Sequence, residues 1–427
     1  MSIDRTIAPI TSRAKEITAA LPEKLVLDNG VPVFQLRSEI SEACRIDFVF
    51  SAGSFFQPSP LIARFTNLLM MEGTRKHPAN ELASLLEYYG AFVQAFSQKD
   101  FAGFSVSLLA SQIPEVLPLI VEILTEPTLI EDELSLIRDR EKKAFIDELR
   151  KVQTIAVREF NERVFGSEHP YGTKVNLDDF EAVNRSTLST FHTDRYLNGE
   201  AVIFACGGLP TDFETTLNRL FGSFAWSNKK MHASPPEGSF PPPSKGFFEM
   251  PDKLQNAIRV GKTMIPITHP DYPAFKVLNT ILGGYFGSRL MTNIREEKGY
   301  TYGIYSMNVS YKHAGLFLIS TECGAENWEP ALVEIYKEVD RLCNEEVGME
   351  ELELVKSFMM GSLQRALDCP FNTMDYLRTL YEAEMDPAAY LKTLTSTIQK
   401  IDGKEIMKIA EQYLTTASLT EFICGRK

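Results

Sequence analysis

Apolar residues recur along the chain at two spacings that alternate with each other. Segments 31–38 (VPVFQLRS), 45–53 (RIDFVFSAG) and 101–110 (FAGFSVSLLA) are rich in Val, Ile and Phe and are bounded by turn residues, which predicts β-strands. Segments 80–91 and 113–127 carry apolar residues at helical spacing and close on Gly or Pro, which predicts amphipathic helices. Strands and helices mixed in this way predict an α+β fold with helices packed on a sheet.

The alternation continues through a charged middle segment into the second half of the chain. Segment 131–165 is dense in Glu, Lys and Arg, with Leu, Ile, Val and Phe at helical spacing, which predicts a long helical stretch. Beyond it, segment 257–266 predicts a strand, 273–282 a helix, 312–323 a strand and 328–343 a helix. The order of elements in the first half is therefore repeated in the second.

Two separate pairs of segments match each other at one offset. RYLNGEAVIFACGG resembles QYLTTASLTEFICGRK at the end of the chain, which aligns Cys206 with Cys424. EDELSLIRDR (131–140) resembles MEELELVKSF (349–358), and the separation of these two segments equals that of the two cysteines. A self-match at a fixed period indicates duplicated structural units, here of the size of a whole domain.

A proline-rich segment separates the two halves. Residues 227–245 (SNKKMHASPPEGSFPPPSK) combine five prolines with small polar residues, which is typical of an extended linker. We therefore predict an N-terminal domain over 1–226, a linker over 227–245 and a homologous C-terminal domain over 246–427. Each domain is expected to be an α/β sandwich.

Composition narrows the classes of partner. The 427 residues carry a net charge of −13, from 44 basic and 57 acidic residues, which argues against nucleic acid and against an anionic membrane surface. We expect no membrane span, because no run of about 18 apolar residues occurs. The N-terminal segment lacks an apolar signal region, and the six cysteines are scattered without a CxxC pair. A cytoplasmic, reducing location is therefore predicted; a periplasmic one would require a leader already removed.

A predicted helix at residues 63–74 (ARFTNLLMMEGT) carries Arg64, Asn67 and Leu68 at spacing i, i+3, i+4, on one side of the helix. It precedes the segment EGTRKHPANELASLLEYYGAFVQAFSQKDFAGFSVSL, and HPYG follows at 169–172. Together with LDNGVPVF and FSAGSFFQP before the helix, these segments resemble the insulinase/pitrilysin family of zinc metallopeptidases. The resemblance is to the processing-peptidase type with two-domain chains, and it spans nearly the whole sequence. It implies a mostly antiparallel sheet in each domain.

In that family the helix carries the inverted zinc motif H-x-x-E-H, in which two histidines bind zinc and the glutamate is the general base. The resemblance, aligned on the Gly–Thr pair that ends the helix, places Arg64, Asn67 and Leu68 at those three positions. None of them can replace its counterpart: arginine stays protonated, an amide is no general base, and leucine has no ligand atom. We therefore predict no metal in this chain.

The family's third zinc ligand is a glutamate on the long charged helix, where Glu148 lies here, seven residues after Glu141. One glutamate does not make a zinc site, and both carboxylates also fit an ordinary charged helix face. An ion pair between Arg64 and Glu148 in place of the metal is a hypothesis that a structure can test. No two of the six histidines lie three or four residues apart, so they offer no substitute site.

The segment 283–306 (GGYFGSRLMTNIREEKGYTYGIYS) closely resembles the family's C-terminal motif. The resemblance implies that Arg295 and Tyr302 contact bound peptide near the scissile bond. A guanidinium suits peptide carbonyls, and a phenol can donate to the oxyanion that forms on hydrolysis. On spacing alone, a helix-capping Arg295 and a packed Tyr302 would suffice.

The sequence thus combines a degenerate zinc motif with an intact Arg/Tyr motif. We predict a non-catalytic subunit of a heterodimeric zinc peptidase, whose homologous partner supplies zinc and whose substrates are unfolded peptides. Arg295 and Tyr302 would complete the site of that partner. Two alternatives stay open: a scaffold homologue with no peptidase role, and an independently active metallopeptidase with unrecognised ligands.

Overall fold

The computed structural model describes residues 17, 19–226 and 240–427, so most of the predicted linker, residues 227–239, lies outside the described residues. The N-terminal half (19–226) contains six strands and eight α-helices among its described residues: β1 Glu23–Val26, β2 Pro32–Arg37, β3 Ala43–Phe50, α1 Ile62–Leu69, α2 Ala79–Tyr88, β4 Phe92–Ser97, β5 Ala102–Leu109, α3 Ile113–Thr125, α4 Glu131–Glu148, α5 Val152–Phe165, α6 Leu177–Ala182, α7 Arg185–His192, β6 Ala201–Gly207 and α8 Phe213–Phe221.

The C-terminal half (240–427) begins its regular structure at Lys245, the last residue of the predicted linker. Its elements are β7 Lys245–Glu249, β8 Gln255–Met264, α9 Tyr272–Gly283, β9 Thr301–Ser310, β10 Gly315–Gly324, α10 Trp328–Asn344, α11 Met349–Ala366, α12 Pro370–Glu382, α13 Pro387–Lys400, α14 Gly403–Tyr413 and β11 Thr420–Gly425. A π-helical turn, Met291–Glu297, lies between α9 and β9.

The strands form two sheets that share one five-strand order, to which β1 is added at an edge of the first sheet. The first sheet has the order β1-β2-β6-β3-β5-β4 and the second has the order β7-β11-β8-β10-β9. Only the pairs β2–β6 and β7–β11 are parallel; the other neighbours run antiparallel. The predicted fold, two α/β sandwiches with mostly antiparallel sheets, is confirmed.

The sequence repeat is visible element by element. Helices α4 and α11 are equally long, and their first residues, Glu131 and Met349, open the two segments that match in the sequence. Strands β6 and β11 hold the same place in their sheets, and both end in a glycine with positive φ, Gly207 and Gly425. A Cβ would collide with the carbonyl of Ala43 at the first position and with Asn256 at the second, so both ends require glycine.

The predicted helical stretch at 131–165 is divided into α4 and α5 at residues 149–151. The division lets the chain change direction, because α4 packs against α1 of its own half while α5 packs on β8 and β11 of the other half. The C-terminal half does the same in the opposite direction, because its helix α12 packs on β2 and β6 of the N-terminal half. Each half therefore covers a sheet of the other half with one helix, and we call α5 and α12 the exchanged helices.

The two exchanged helices use different chemistry. On α12, Arg378 donates to the Glu382 carboxylate at 2.6 Å and lies 3.5 Å from Asp47 of β3, with its guanidinium 4.8 Å from the Phe96 ring centroid. On α5, Arg163 lies over the ring of Phe422, at 5.1 Å from its centroid. The first contact is an ion network beside aromatic rings, whereas the contact of Arg163 is a cation–π contact.

The predicted HPYG segment lies at the contact between the halves. The Tyr171 hydroxyl donates to Asp100 Oδ1 at 2.6 Å, and Asp100 Oδ2 accepts the backbone N–H of Lys312 at 2.9 Å. The rings of Tyr171 and Tyr311 lie 4.4 Å apart. The turn between β9 and β10 is thus fixed to the N-terminal half.

Across the described residues, none of the helices combines the length and the apolarity that crossing a bilayer requires.

Candidate functional site

Helix α1 is a core helix with one polar side. Its buried residues include Ile62, Phe65 and Leu69, and it packs against α4, α7, β4 and β5. The side chain of Arg64 is 56% exposed, Asn67 is buried, and Leu68 is partly buried against the apolar core. The three residues at the zinc-motif positions therefore point into three different environments.

Arg64 forms its ion pair with Glu141, and the predicted pair with Glu148 is wrong. Arg64 Nε and Nη2 donate to Glu141 Oε2 at 2.9 and 2.6 Å. Glu148 is the last residue of α4 and accepts hydrogen bonds from Lys151 and Thr154 instead, at 2.6 and 3.1 Å. These two bonds hold the pKa of the Glu148 carboxyl below its ordinary value. The physical reason is register: α1 meets α4 two turns before the end of α4.

Asn67 has become a structural residue. It is 2% exposed, and its amide donates to the Gly103 carbonyl at 3.1 Å and to the Tyr196 oxygen at 3.3 Å. Burial raises the pKa of Tyr196 strongly, and the hydrogen bond from Asn67 opposes this only in part. A buried amide that joins α1 to β5 in this way is not placed to activate water.

The residues at these positions do not fit a zinc ion. Arg64 brings a permanent positive charge, Asn67 directs its amide donors to the protein interior, and Leu68 offers no ligand atom. In the part of the chain that the structure describes, no three His, Cys, Asp or Glu side chains converge so that they could hold a metal ion.

The histidines take other roles. His77 lies 2.9 Å from Glu122, which also accepts hydrogen bonds from Thr74 and Lys76. Burial of Glu122 opposes its ionisation, but the three hydrogen bonds outweigh burial and hold its pKa below the ordinary value. His192 is buried against the Leu124 carbonyl, and burial lowers its pKa.

The Arg/Tyr motif lies between α9 and the outer edge of the second sheet. Arg295 is in the π-helical turn Met291–Glu297, and its guanidinium lies 4.6 Å from the ring centroid of Phe286. Tyr302 is 91% exposed on β9, the edge strand of its sheet. The alternative in which Tyr302 packs against its own chain is therefore wrong, because its phenol projects into solvent.

Phe286 is the residue of this site that the sequence did not indicate. It is 61% exposed and supports the guanidinium plane of Arg295. A signal in the sequence could have indicated it, because two aromatic residues, Tyr285 and Phe286, interrupt the small residues of GGYFGS. A stacked guanidinium keeps its edge donors free in a fixed plane, which favours recognition of carbonyl oxygens.

Comparisons with known proteins relate the chain to a family of metallopeptidases. The family model "Insulinase (Peptidase family M16)" matches residues 33–166, and the model "Peptidase M16 inactive domain" matches residues 182–359. The zinc protease YmxG of Bacillus subtilis is 23% identical over 81% of this chain and 84% of its own length. The probable inactive metalloprotease YmfF of the same organism is 21% identical over 81% and 84%.

A processing peptidase and two solved structures extend the likeness. The mitochondrial-processing peptidase subunit beta of Bos taurus is 23% identical over 84% of this chain and 75% of its own length. A peptidase M16 inactive domain from Pseudomonas fluorescens superimposes with a TM-score of 0.86, at 24% identity over 95% of this chain and 98% of that one. A protease from Helicobacter pylori gives a TM-score of 0.85, at 17% identity over 95% and 100%. The chain therefore belongs to the insulinase (M16) family, and its C-terminal half matches the inactive domain of that family.

Proposed function

We propose that this chain is the non-catalytic subunit of a heterodimeric zinc peptidase and supplies Arg295 and Tyr302 to the active site of a homologous, zinc-bearing partner. The observation that carries the proposal is the exposed phenol of Tyr302 on an edge strand. An aromatic side chain that is 91% exposed makes little contact within its own chain and is available to a second molecule.

The chemistry of the two side chains suits peptide hydrolysis. A phenol that donates to the developing oxyanion stabilises the tetrahedral intermediate, and the stacked guanidinium of Arg295 offers fixed donors to neighbouring peptide carbonyls. Both groups assist a hydrolysis that some other group must start. Because α1 holds no residue that fits zinc, we assign the metal and the general base to the partner.

Unfolded peptides are the proposed substrates. Strands β4 and β9 lie at the outer edges of their sheets, where backbone N–H and C=O groups can pair with an added strand. Tyr302 is on one of these edges, so a peptide bound along β9 passes its phenol. The relatives named as a subunit of a processing peptidase and as a probable inactive metalloprotease also support a role as a non-catalytic subunit.

The test is a reconstituted complex. The chain is expected to co-purify with a homologue that carries H-x-x-E-H, and the complex to cleave a fluorogenic unfolded peptide. Tyr302→Phe is expected to lower kcat about 10²-fold, as removal of one oxyanion donor does, and Arg295→Ala at least about tenfold. Tyr305→Phe is a matched control, because Tyr305 is on the same strand and is 46% exposed.

Two results would overturn the proposal in favour of the alternatives. Unchanged turnover in both Tyr302→Phe and Arg295→Ala would indicate a scaffold that takes no part in cleavage. Stoichiometric zinc together with peptidase activity in the purified chain alone would indicate an independent metallopeptidase. Elemental analysis of the isolated chain separates these outcomes from each other.

We also propose a reducing, cytoplasmic location. All six cysteines are free thiols, and five of them are buried. Burial raises the pKa of Cys44, Cys206 and Cys323 to about 12, so these thiols stay protonated and unreactive at neutral pH. Cell fractionation tests the location directly, and recovery in the periplasm would contradict it.

A further inference from the structure

Four polar side chains meet where three helices of the C-terminal half join. Tyr272 and Lys276 come from α9, Tyr376 from α12 and Tyr390 from α13. Lys276 Nζ lies 5.6 Å from the ring centroid of Tyr376. The proposed function uses none of these residues, so their arrangement requires a separate explanation.

Two of the tyrosine hydroxyls are buried without a partner. The oxygens of Tyr376 and Tyr390 are shielded from solvent and form no hydrogen bond, and Tyr390 as a whole is 4% exposed. Burial, followed by the neighbouring phenols of Tyr376 and Tyr272, raises the pKa of Tyr390. Native proteins rarely leave such groups unpaired without a bound water or ion.

Lys276 brings a positive charge to the same place. Among the described residues no ion pair joins Lys276 to a carboxylate; its ammonium lies over the Tyr376 ring, and burial lowers the pKa of the ammonium. Lys262 on β8 is a useful contrast, because its ammonium donates to the Tyr413 carbonyl at 3.3 Å and to Ser418 Oγ at 3.1 Å. A desolvated cation without a counter-ion is costly, and an anion removes that cost.

We propose that Lys276, Tyr376 and Tyr390 bind a small monovalent anion at the junction of α9, α12 and α13. The site offers an ammonium and two hydroxyl donors, and none of the described carboxylates forms an ion pair with that ammonium, so its chemistry is that of an anion receptor. A water molecule would satisfy the hydroxyls but leave the ammonium uncompensated. One cation matches one negative charge, which favours chloride or a small carboxylate such as formate over a divalent oxyanion.

The position of the site gives the anion a structural role. Helix α9 leads at Gly283 into the turn that carries Phe286 and then into the π-helical turn with Arg295. An anion that joins α9 to α12 and α13 fixes the helix from which this segment departs. The inference is independent of peptidase activity and can be tested on the isolated chain.

The first experiment is thermal unfolding of the full chain at constant ionic strength, with sodium gluconate replaced stepwise by sodium chloride, bromide or formate. Gluconate, a large polyhydroxylated carboxylate, serves as the reference anion. A saturable rise in Tm with a small anion is expected for the native chain. Chloride and bromide without formate would indicate a halide site, whereas formate alone would indicate a carboxylate site.

Variants then assign the effect to the site. Lys276→Met keeps the length of the side chain, removes the charge and is expected to abolish the anion dependence of Tm. Tyr390→Phe is expected to raise the apparent dissociation constant about tenfold, as loss of one hydrogen bond to a charged group does. Lys262→Met is the control and should retain the full dependence. Equal salt responses in all four proteins would overturn the proposal.

Crystals of the full chain soaked in sodium bromide give an answer even if Lys276→Met does not fold. An anomalous peak within hydrogen-bond distance of Lys276 Nζ and the Tyr390 hydroxyl is expected. A difference peak without an anomalous signal would identify water in the site and overturn the proposal, as would an empty junction.

Discussion

Helices α1 and α9 occupy the same place in the two halves, each following the strand, β3 or β8, that lies next to β6 or β11 in its sheet. On α1, Arg64 reaches a carboxylate on α4, and Asn67 is buried in hydrogen bonds to β5 and Tyr196. On α9, Lys276 faces a tyrosine ring instead of a carboxylate, and the chain beyond the helix carries Arg295.

The difference shows how a duplicated framework divides its tasks. In the N-terminal half the polar side chains of α1 hold helices and strands together. In the C-terminal half the polar side chains to which the proposed function assigns contact with substrate lie outside the helix, on a turn and an edge strand. Both halves keep the shared strand order, while the proposed function places its chemistry in the C-terminal half alone.

The largest expected difference in unfolding free energy is between substitutions on the two exchanged helices. Arg378→Ala leaves the Glu382 carboxylate without its cation and removes one of two arginines beside Asp47, so it is expected to cost about 3–5 kcal/mol of unfolding free energy. Arg163→Ala removes one cation–π contact and is expected to cost about 1 kcal/mol. Urea unfolding measures both. Equal costs would show that the two contacts between the halves are energetically alike.

An intermediate effect is expected at the asparagines of the two compared helices. Asn67→Ala leaves a buried carbonyl and the Tyr196 hydroxyl without their donor, at a cost of about 2–3 kcal/mol. Asn279→Ala on α9 removes one hydrogen bond to the Ser306 carbonyl, at 3.2 Å, for about 1 kcal/mol. If Asn67→Ala proved the milder change in denaturant titration, Asn67 would not be a structural residue.

The smallest effects are expected at the cations of α1 and α9, and they have opposite signs. Arg64→Met breaks an ion pair at an exposed guanidinium and should cost less than about 1 kcal/mol. Lys276→Met, measured in gluconate, removes an uncompensated charge and should stabilise the chain by about 1 kcal/mol. Calorimetry in matched buffers checks both. If both substitutions changed the unfolding free energy in the same direction, the cations of α1 and α9 would not differ in the way described.

The fold could be predicted well from the sequence because the repeat indicates the same elements in both halves of the chain. The separation of Cys206 and Cys424 in the sequence is also the separation between the starts of α4 and α11, and the alternating segments at 101–110 and 312–323 overlap β5 and β10. The helices α12, α13 and α14 were not predicted. Their buried residues do recur at helical spacing, as Tyr390, Leu391, Leu394 and Ile398 do on α13, so the helical pattern was present in the sequence. The pattern does not show that α12 packs on the opposite sheet, because that contact depends on residues far apart in the chain.

For the candidate sites, the residue types could be interpreted from the sequence, but their contacts and exposure could not. The loss of zinc ligands follows from residue types alone, because Arg64, Asn67 and Leu68 lack the required atoms wherever they point. The partner of Arg64 did not follow, since Glu141 and Glu148 lie two helical turns apart and only the crossing of α1 and α4 selects between them. The exposure of Tyr302 depends on the edge position of β9, which is set by the pairing of distant strands.

The exchanged helices also have a consequence for synthesis on the ribosome. Strand β6 completes the first sheet at Gly207, but α12, which covers β2 and β6, begins only at Pro370, far into the second half. Phe34, Leu36 and Phe204 therefore face water, or a chaperone, until most of the chain has emerged. A stalled or truncated product that ends before Pro370 carries an uncovered apolar sheet face, which marks it for aggregation or degradation.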